Sequence, residues 1–229
     1  MGKIIIILIV ATCYLMLVSC ISYSQTLDQL HPNEYSVDIG LAFAESDKVF
    51  LGGISYGILK NLNGYLIMGL DIMDENPTLS SLSISIPPSP LFMIGISRVE
   101  KLGQTGLDYW STAGLGVGFG KFIDDIEDET IMTSRSITLS TSLGLKKKLS
   151  LEGGVSVTPL AGILYNNTWI TVESSIPDFI YSETESGDDW GGQLGLMIGL
   201  SPNINITGAV TFSFEHSNVS YSINLSFRL

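Results

Sequence analysis

The chain has 229 residues, of which 45 % are hydrophobic and only 15 % charged, with a mean hydropathy of +0.35. A net charge of −12 excludes a nucleic-acid partner, because a phosphate backbone needs a basic face. The composition is too apolar for an ordinary secreted sheet protein, yet after Gln25 no apolar run approaches the roughly 20 residues of a spanning helix.

The amino terminus, MGKIIIILIVATCYLMLVSCISYSQ, carries one cation at Lys3, an apolar run from Ile4 to Val18, and small residues at Ser22 and Ser24 just before Gln25. This layout predicts a secretory signal peptide over residues 1–24 and an exported protein. Within it, LVSC (Leu17 to Cys20) resembles the lipobox of bacterial lipoproteins, so lipidation at Cys20 and a lipid-anchored product form the alternative. Cys13 and Cys20 are the two cysteines, and a chain cut before Gln25 has neither a disulfide nor thiolate chemistry.

Residues 25–34 read as a short periplasmic segment leading into residues 35–229, where one pattern recurs. YSVDIGLAF sets Tyr35, Val37, Ile39, Leu41 and Phe43 against Ser36, Asp38, Gly40 and Ala42. SITLSTSLGL, QLGLMIGL and NINITGAVTFSF alternate in the same way, and the closing stretch NVSYSINLSFRL does so without a fault. Period-two alternation marks strands with one apolar face. About ten strands are expected, starting near Tyr35, Val49, Gly64, Leu91, Gly106, Ser136, Gly153, Gly192, Asn203 and Val219, with eight or twelve as the alternatives because SLSISI and TWITV also alternate.

The connections fall into two classes. KNLNG, EKLGQTG, KKKLS and SPN are compact, whereas DENPTLSSLSISIPPSP, IDDIEDETIMTSR and NNTWITVESSIPDFIYSETESGDDW are long and mostly acidic. Short turns at one end, longer loops at the other, and a polar face rich in Ser, Asn and Gly where a soluble sheet would carry Lys and Glu together predict a fold class. It is all-β: a closed antiparallel up-and-down transmembrane β-barrel, apolar outward and polar inward. A soluble barrel or sandwich would instead place charges on alternate strand positions throughout, and here they gather in loops and turns.

The exported start, the glycine-rich strands STAGLGVGFGKF and VTPLAGILYN, and the terminal strand YSINLSFRL make the chain similar to the small outer-membrane β-barrel proteins, the OmpA/OmpX-like and porin-like single barrels. The resemblance is one of pattern and covers nearly the whole mature chain. It implies an integral outer-membrane location, contact with outer-membrane lipid and lipopolysaccharide, and insertion by the barrel-assembly machinery. That machinery usually reads a terminal aromatic residue; this chain ends on Leu229 with Phe227 two places before it.

Little in the chain suggests catalysis, and no cofactor or metal is called for. FEHSN, Glu215 to Asn218, faintly resembles the His, Ser and Glu set of outer-membrane lipid A deacylases, but adjacent His216 and Ser217 would point to opposite faces of a strand. Asp124, Asp125, Asp188, Asp189 and His216 resemble the rim groups of outer-membrane proteases, whose strands rise well above the bilayer; this mature chain is too short for such strands. The acidic extracellular loop Asp124, Asp125, Glu127, Asp128 and Glu129 lacks the spacing of a dedicated calcium loop and reads as a hydrated surface. Inward charges should pair: Asp38 with Arg228 across the closing seam, and Asp108 with Lys146 beside it. The expected function is non-enzymatic, a structural or surface-interaction barrel or a narrow passive pore, with a rim-active enzyme as the alternative.

Overall fold

The computed structural model describes residues 29–44, 47–73, 84–124, 129–174, 182–215 and 218–229. The expected signal peptide and the alternative lipidation site Cys20 lie outside the described residues.

Alternating segments cannot gather their apolar residues on one side of a helix, and in this chain they form strands. Among the described residues there are ten strands of nine residues or more: β1 (Tyr35–Phe43), β2 (Asp47–Leu59), β3 (Leu62–Met73), β4 (Ser89–Lys101), β5 (Asp108–Asp124), β6 (Glu129–Lys146), β7 (Ser156–Ser174), β8 (Ser182–Ser201), β9 (Ile204–Ser213) and β10 (Val219–Arg228). Each is antiparallel to the next, and β1 pairs with β10 from Ser36 opposite Arg228 to Phe43 opposite Tyr221. The sheet is therefore a closed up-and-down barrel. Closure matters because an open edge in hydrocarbon would leave a row of backbone groups without partners. Of the two ambiguous segments, TWITV extends β7, while Ile84–Ser85 of SLSISI forms a two-residue bridge to Ile123 and Asp124.

Side-chain parity is kept around the ring. On β1 the buried positions are Ser36, Asp38, Gly40 and Ala42, and on β10 they are Ser220, Ser222, Asn224 and Ser226. Leu66, Met68, Ile94, Leu139, Leu143 and Ile223 are exposed on the outer face. Outward charges keep to the two margins of this apolar belt, with Arg98 and Glu100 paired at the short-turn end and Lys48, Lys121 and Arg135 toward the other. Rings mark the same margins: Tyr35 stacks on Tyr56 with centroids 4.8 Å apart at one, and Tyr165 on Trp190, also at 4.8 Å, at the other.

The wall is not of even height. β5 to β8 contain 17, 18, 19 and 20 residues, whereas β1, β9 and β10 contain 9, 10 and 10. A surplus of about ten residues is roughly 30 Å of additional strand. The long acidic connections expected after the fifth and seventh strands are thus mostly strand. β6 starts at Glu129 rather than near Ser136, and β8 at Ser182 rather than near Gly192.

Candidate functional site: the barrel interior and the tall rim

Inward positions are not uniformly small and polar. β2, β3 and β4 turn Val49, Leu51, Tyr65, Ile67, Leu91 and Met93 into the bore, where they cluster with Ala42 of β1 and with Ile170 and Val172 of β7. β7 stands opposite β2 in a ring of ten, and among the described residues the buried members of the cluster come from β1 to β4 and from β7, with Met132 of β6 packed against them. The contact is therefore made across the bore. Nearer the short turns a second layer joins Val99 of β4, Trp110 of β5, Leu160 of β7 and Met197 of β8. A barrel of this size is narrow enough for side chains to fill.

Glycines make room for the two inward aromatic residues. Tyr65 lies against Gly95 and Gly114 on the next two strands and donates its hydroxyl to the Ala113 carbonyl at 3.1 Å. Trp110 lies in the same way against Gly144 and Gly162, where a Cβ would meet the indole. Hydroxyls line much of the remaining interior and bond across strands, as Thr138 Oγ1 does with Thr168 Oγ1 at 3.1 Å and Thr112 with Ser142.

The amino-terminal segment closes the short-turn mouth. Leu30 is fully buried, the Gln29 amide donates to Asn61, and Arg228 donates to the Gln29 carbonyl at 2.8 Å. Asn61 itself takes a left-handed φ of 73° in the turn after β2, which an asparagine tolerates. The backbone of His31 passes so near Gly57 that a Cβ there would collide with it.

This segment also meets the charges at the closing seam. Register sets Asp38 opposite Ser226 and Arg228 opposite Ser36, and the guanidinium lies 3.8 Å from Glu34 and donates to the Gln29 carbonyl. Asp38 is buried and accepts a hydrogen bond from Ser36 Oγ at 3.5 Å. Asp108 stands directly opposite Lys146 on one side and Lys101 on the other, so one carboxylate faces two cations at the short-turn end.

At the tall end Asp124 and Glu129 are opposed strand residues at the top of β5 and β6, while Asp125, Glu127 and Asp128 lie outside the described residues. His216 and Ser217 also lie outside them; His31, the other histidine, is at the opposite mouth. Asp189 accepts a hydrogen bond from Ser213 Oγ at 2.6 Å. The sequence reading missed Tyr65, Trp110 and Leu30 as interior plugs, and the carboxylates Asp47 and Asp71, which are buried near the rim. Asp71 had a signal: it is a lone charge in the apolar run YLIMGLDIM.

Searches of protein-family profiles and of curated proteins give no match. Among solved structures the chain is similar to the translocator domain of the autotransporter NalP from Neisseria meningitidis, with TM-score 0.57, 11 % identity, and 96 % of each chain covered. It is also similar to the outer membrane protease OmpT from Escherichia coli (TM-score 0.43, 9 % identity, 90 % of this chain and 100 % of that one). A third match is the amino-terminal β-barrel domain of OprF from Pseudomonas aeruginosa (TM-score 0.39, 8 % identity, 87 % of this chain and 100 % of that one). The fold is that of an outer-membrane β-barrel. The apolar outer belt between two aromatic margins agrees with it, since such a surface is stable only in lipid, and the protein is integral to the outer membrane. Outer-membrane barrels as a class keep their short turns periplasmic and their longer connections outside.

Proposed function

We propose that the protein is a closed, non-catalytic outer-membrane barrel that serves as a rigid base for its extracellular β5–β8 wall. The observation that carries this reading is the apolar cluster joining β7 to β2, β3 and β4 through the bore. Apolar side chains in contact across a lumen leave no hydrated path, and the Trp110 layer and the Leu30 plug repeat the closure twice below it. A porin needs the reverse, a polar and water-filled interior.

The outer wall supplies the surface. β7 and β8 stay paired from Glu173 opposite Ser182 down to Ser156 opposite Gly199, but β9 joins β8 only from Gly191 downward. The upper part of β8 therefore stands above the rim with β7 on one side, and Ser182, Glu183, Thr184, Glu185 and Ser186 are all exposed there. Thr171 Oγ1 and Thr184 Oγ1, 2.9 Å apart, tie the two strands on this projecting part. A fixed sheet of this kind suits contact with another surface.

Two measurements test the proposal together. Proteoliposomes carrying the protein should not swell in arabinose, and swelling at porin-like rates would return the pore reading. Single cysteines should report the orientation, with Ser186→Cys labelled by an impermeant maleimide on intact cells and Lys147→Cys labelled only after lysis; the opposite pattern would invert the barrel.

A further inference from the structure

The upper part of β8 has a neighbouring strand on one side only. β7 pairs with it from Glu173 opposite Ser182 downward, whereas the topmost bond from the β9 side among the described residues is the one that the Phe214 N–H donates to the Trp190 carbonyl at 2.7 Å. No described residue pairs with residues 182–188 from that side. Successive residues of an antiparallel strand turn their N–H and C=O to opposite neighbours, and Trp190 turns its carbonyl toward β9. Asp188, Ser186, Thr184 and Ser182 therefore present their backbone groups along the open edge, and the residues between them bond to β7. Side chains alternate as well: Glu183, Glu185 and Gly187 share the inward parity of Gln193, and Ser182, Thr184, Ser186 and Asp188 face outward. All of these except Gly187 are exposed.

An unpaired edge is a template for another strand, and proteins blunt such edges with proline, bulges or a covering element. Here the register of β8 on β7 runs without a shift, and residues 182–188 contain no proline. Resting on the reading of the tall wall as a contact surface, we propose that this edge binds an extended, basic peptide segment of another protein as an added strand. The open backbone is the site, and the side chains select the occupant. Glu183 and Glu185 lie on the inward face and Asp188 on the outward one, with Glu173 opposite Ser182 on β7. The described cations in the upper part of this wall, Lys121 and Arg135, stand on β5 and β6, beyond β7. A second copy of the chain pairing through the same edge would set carboxylates against carboxylates, and like charges directly opposite each other destabilise a strand pair. A strand bearing lysine or arginine reverses the sign. Glu183 and Glu185 are two residues apart on one face, so the partner carries its cations at alternate positions. Main-chain bonds then supply affinity, and the alternate side chains supply register.

The test uses the full mature protein folded in detergent micelles at neutral pH. The probe is a fluorescent peptide of about eight residues that alternates lysine with valine. Its anisotropy should show saturable binding of one peptide per chain. A fully N-methylated peptide of the same sequence keeps every charge but has no backbone donor, and it should bind at least tenfold more weakly. Thr184→Pro removes an N–H from the open edge and none of the bonds to β7, so the variant should keep its heat-modifiable gel band and lose at least tenfold in affinity. Glu183→Gln combined with Glu185→Gln should weaken binding and flatten its dependence on salt. An absence of saturable binding to the wild type would overturn the proposal, as would equal binding of the N-methylated peptide, which would show attraction by charge without an added strand. A wild type that dimerises in sedimentation and is made monomeric by Thr184→Pro would overturn it too, because the occupant would then be a second copy. If Thr184→Pro does not fold, the N-methylated peptide on the wild type decides by itself. None of these readings depends on conductance or on which way the barrel is inserted, so their failure leaves the closed barrel standing, and swelling of proteoliposomes leaves the edge standing.

Discussion

Two linings of the same bore differ in chemistry. On β2 to β4 the inward residues are Val49, Leu51, Ile67, Leu91 and Met93, which meet Ile170 and Val172 from the far wall. On β6 and β10 they are Ser136, Thr138, Ser140 and Ser142, then Ser220, Ser222, Asn224 and Ser226, all of them buried as well. An interior need not be polar merely because the exterior faces lipid. Once a barrel is too narrow for a water column, its inside obeys the rules of any packed core: apolar groups gain by burial, and polar groups are kept where a neighbour can bond to them. In the closed-barrel reading we propose, the apolar lining closes the bore, and part of the hydroxyl lining bonds across strands, as Thr138 does with Thr168 and Thr112 with Ser142.

The comparison can be broken most directly on β3, where Ile67 (1 % exposed) and Leu66 (44 % exposed) are neighbours on opposite faces. Ile67→Ala should cost about 2 to 5 kcal/mol in urea unfolding from micelles, because it opens a cavity in the cross-bore layer. Leu66→Ala, whose surface is met by lipid, should cost well under half as much. Equal losses would mean that the cluster does not pack.

The same reasoning sets the outer face of β6 against its inner one. Leu139→Arg puts a charge in the belt and should cost about 2 to 4 kcal/mol, read as loss of the heat-modifiable gel band. Ser140→Ala, one residue on and inward, should leave that band in place. A smaller effect sharpens the hydroxyl side: Thr138→Val should cost about 1 to 2 kcal/mol by leaving Thr168 without its partner. Replacing both threonines by valine should recover most of that loss, since no donor or acceptor is then stranded.

How far the sequence exposes this architecture depends on which surfaces a strand touches. β1, β6 and β10 meet lipid on one side and small polar neighbours on the other, so their alternation is complete and their parity can be read directly. β2, β3 and β4 meet lipid outside and the apolar layer inside. FLGGISYG, YLIMGL and LFMIGIS are apolar on both faces, and the period that would reveal an inward side disappears. Above the membrane the opposite failure occurs. In SETESGDDW both faces are wet, no position is required to be apolar, and the upper part of β8 reads as loop although it is strand. The Asp108 and Lys146 opposition depends only on register from a hairpin and could be set out beforehand, whereas the partner of Arg228 depends on how residues 29–34 fold back into the mouth, which no alternation encodes.

The central claim is that this bore is shut by its own side chains, and single-channel recording of the purified mature protein in a planar bilayer tests it most directly. The account predicts a trace without conductance steps at either polarity. Regular, reproducible open-state steps from the wild-type barrel would contradict it.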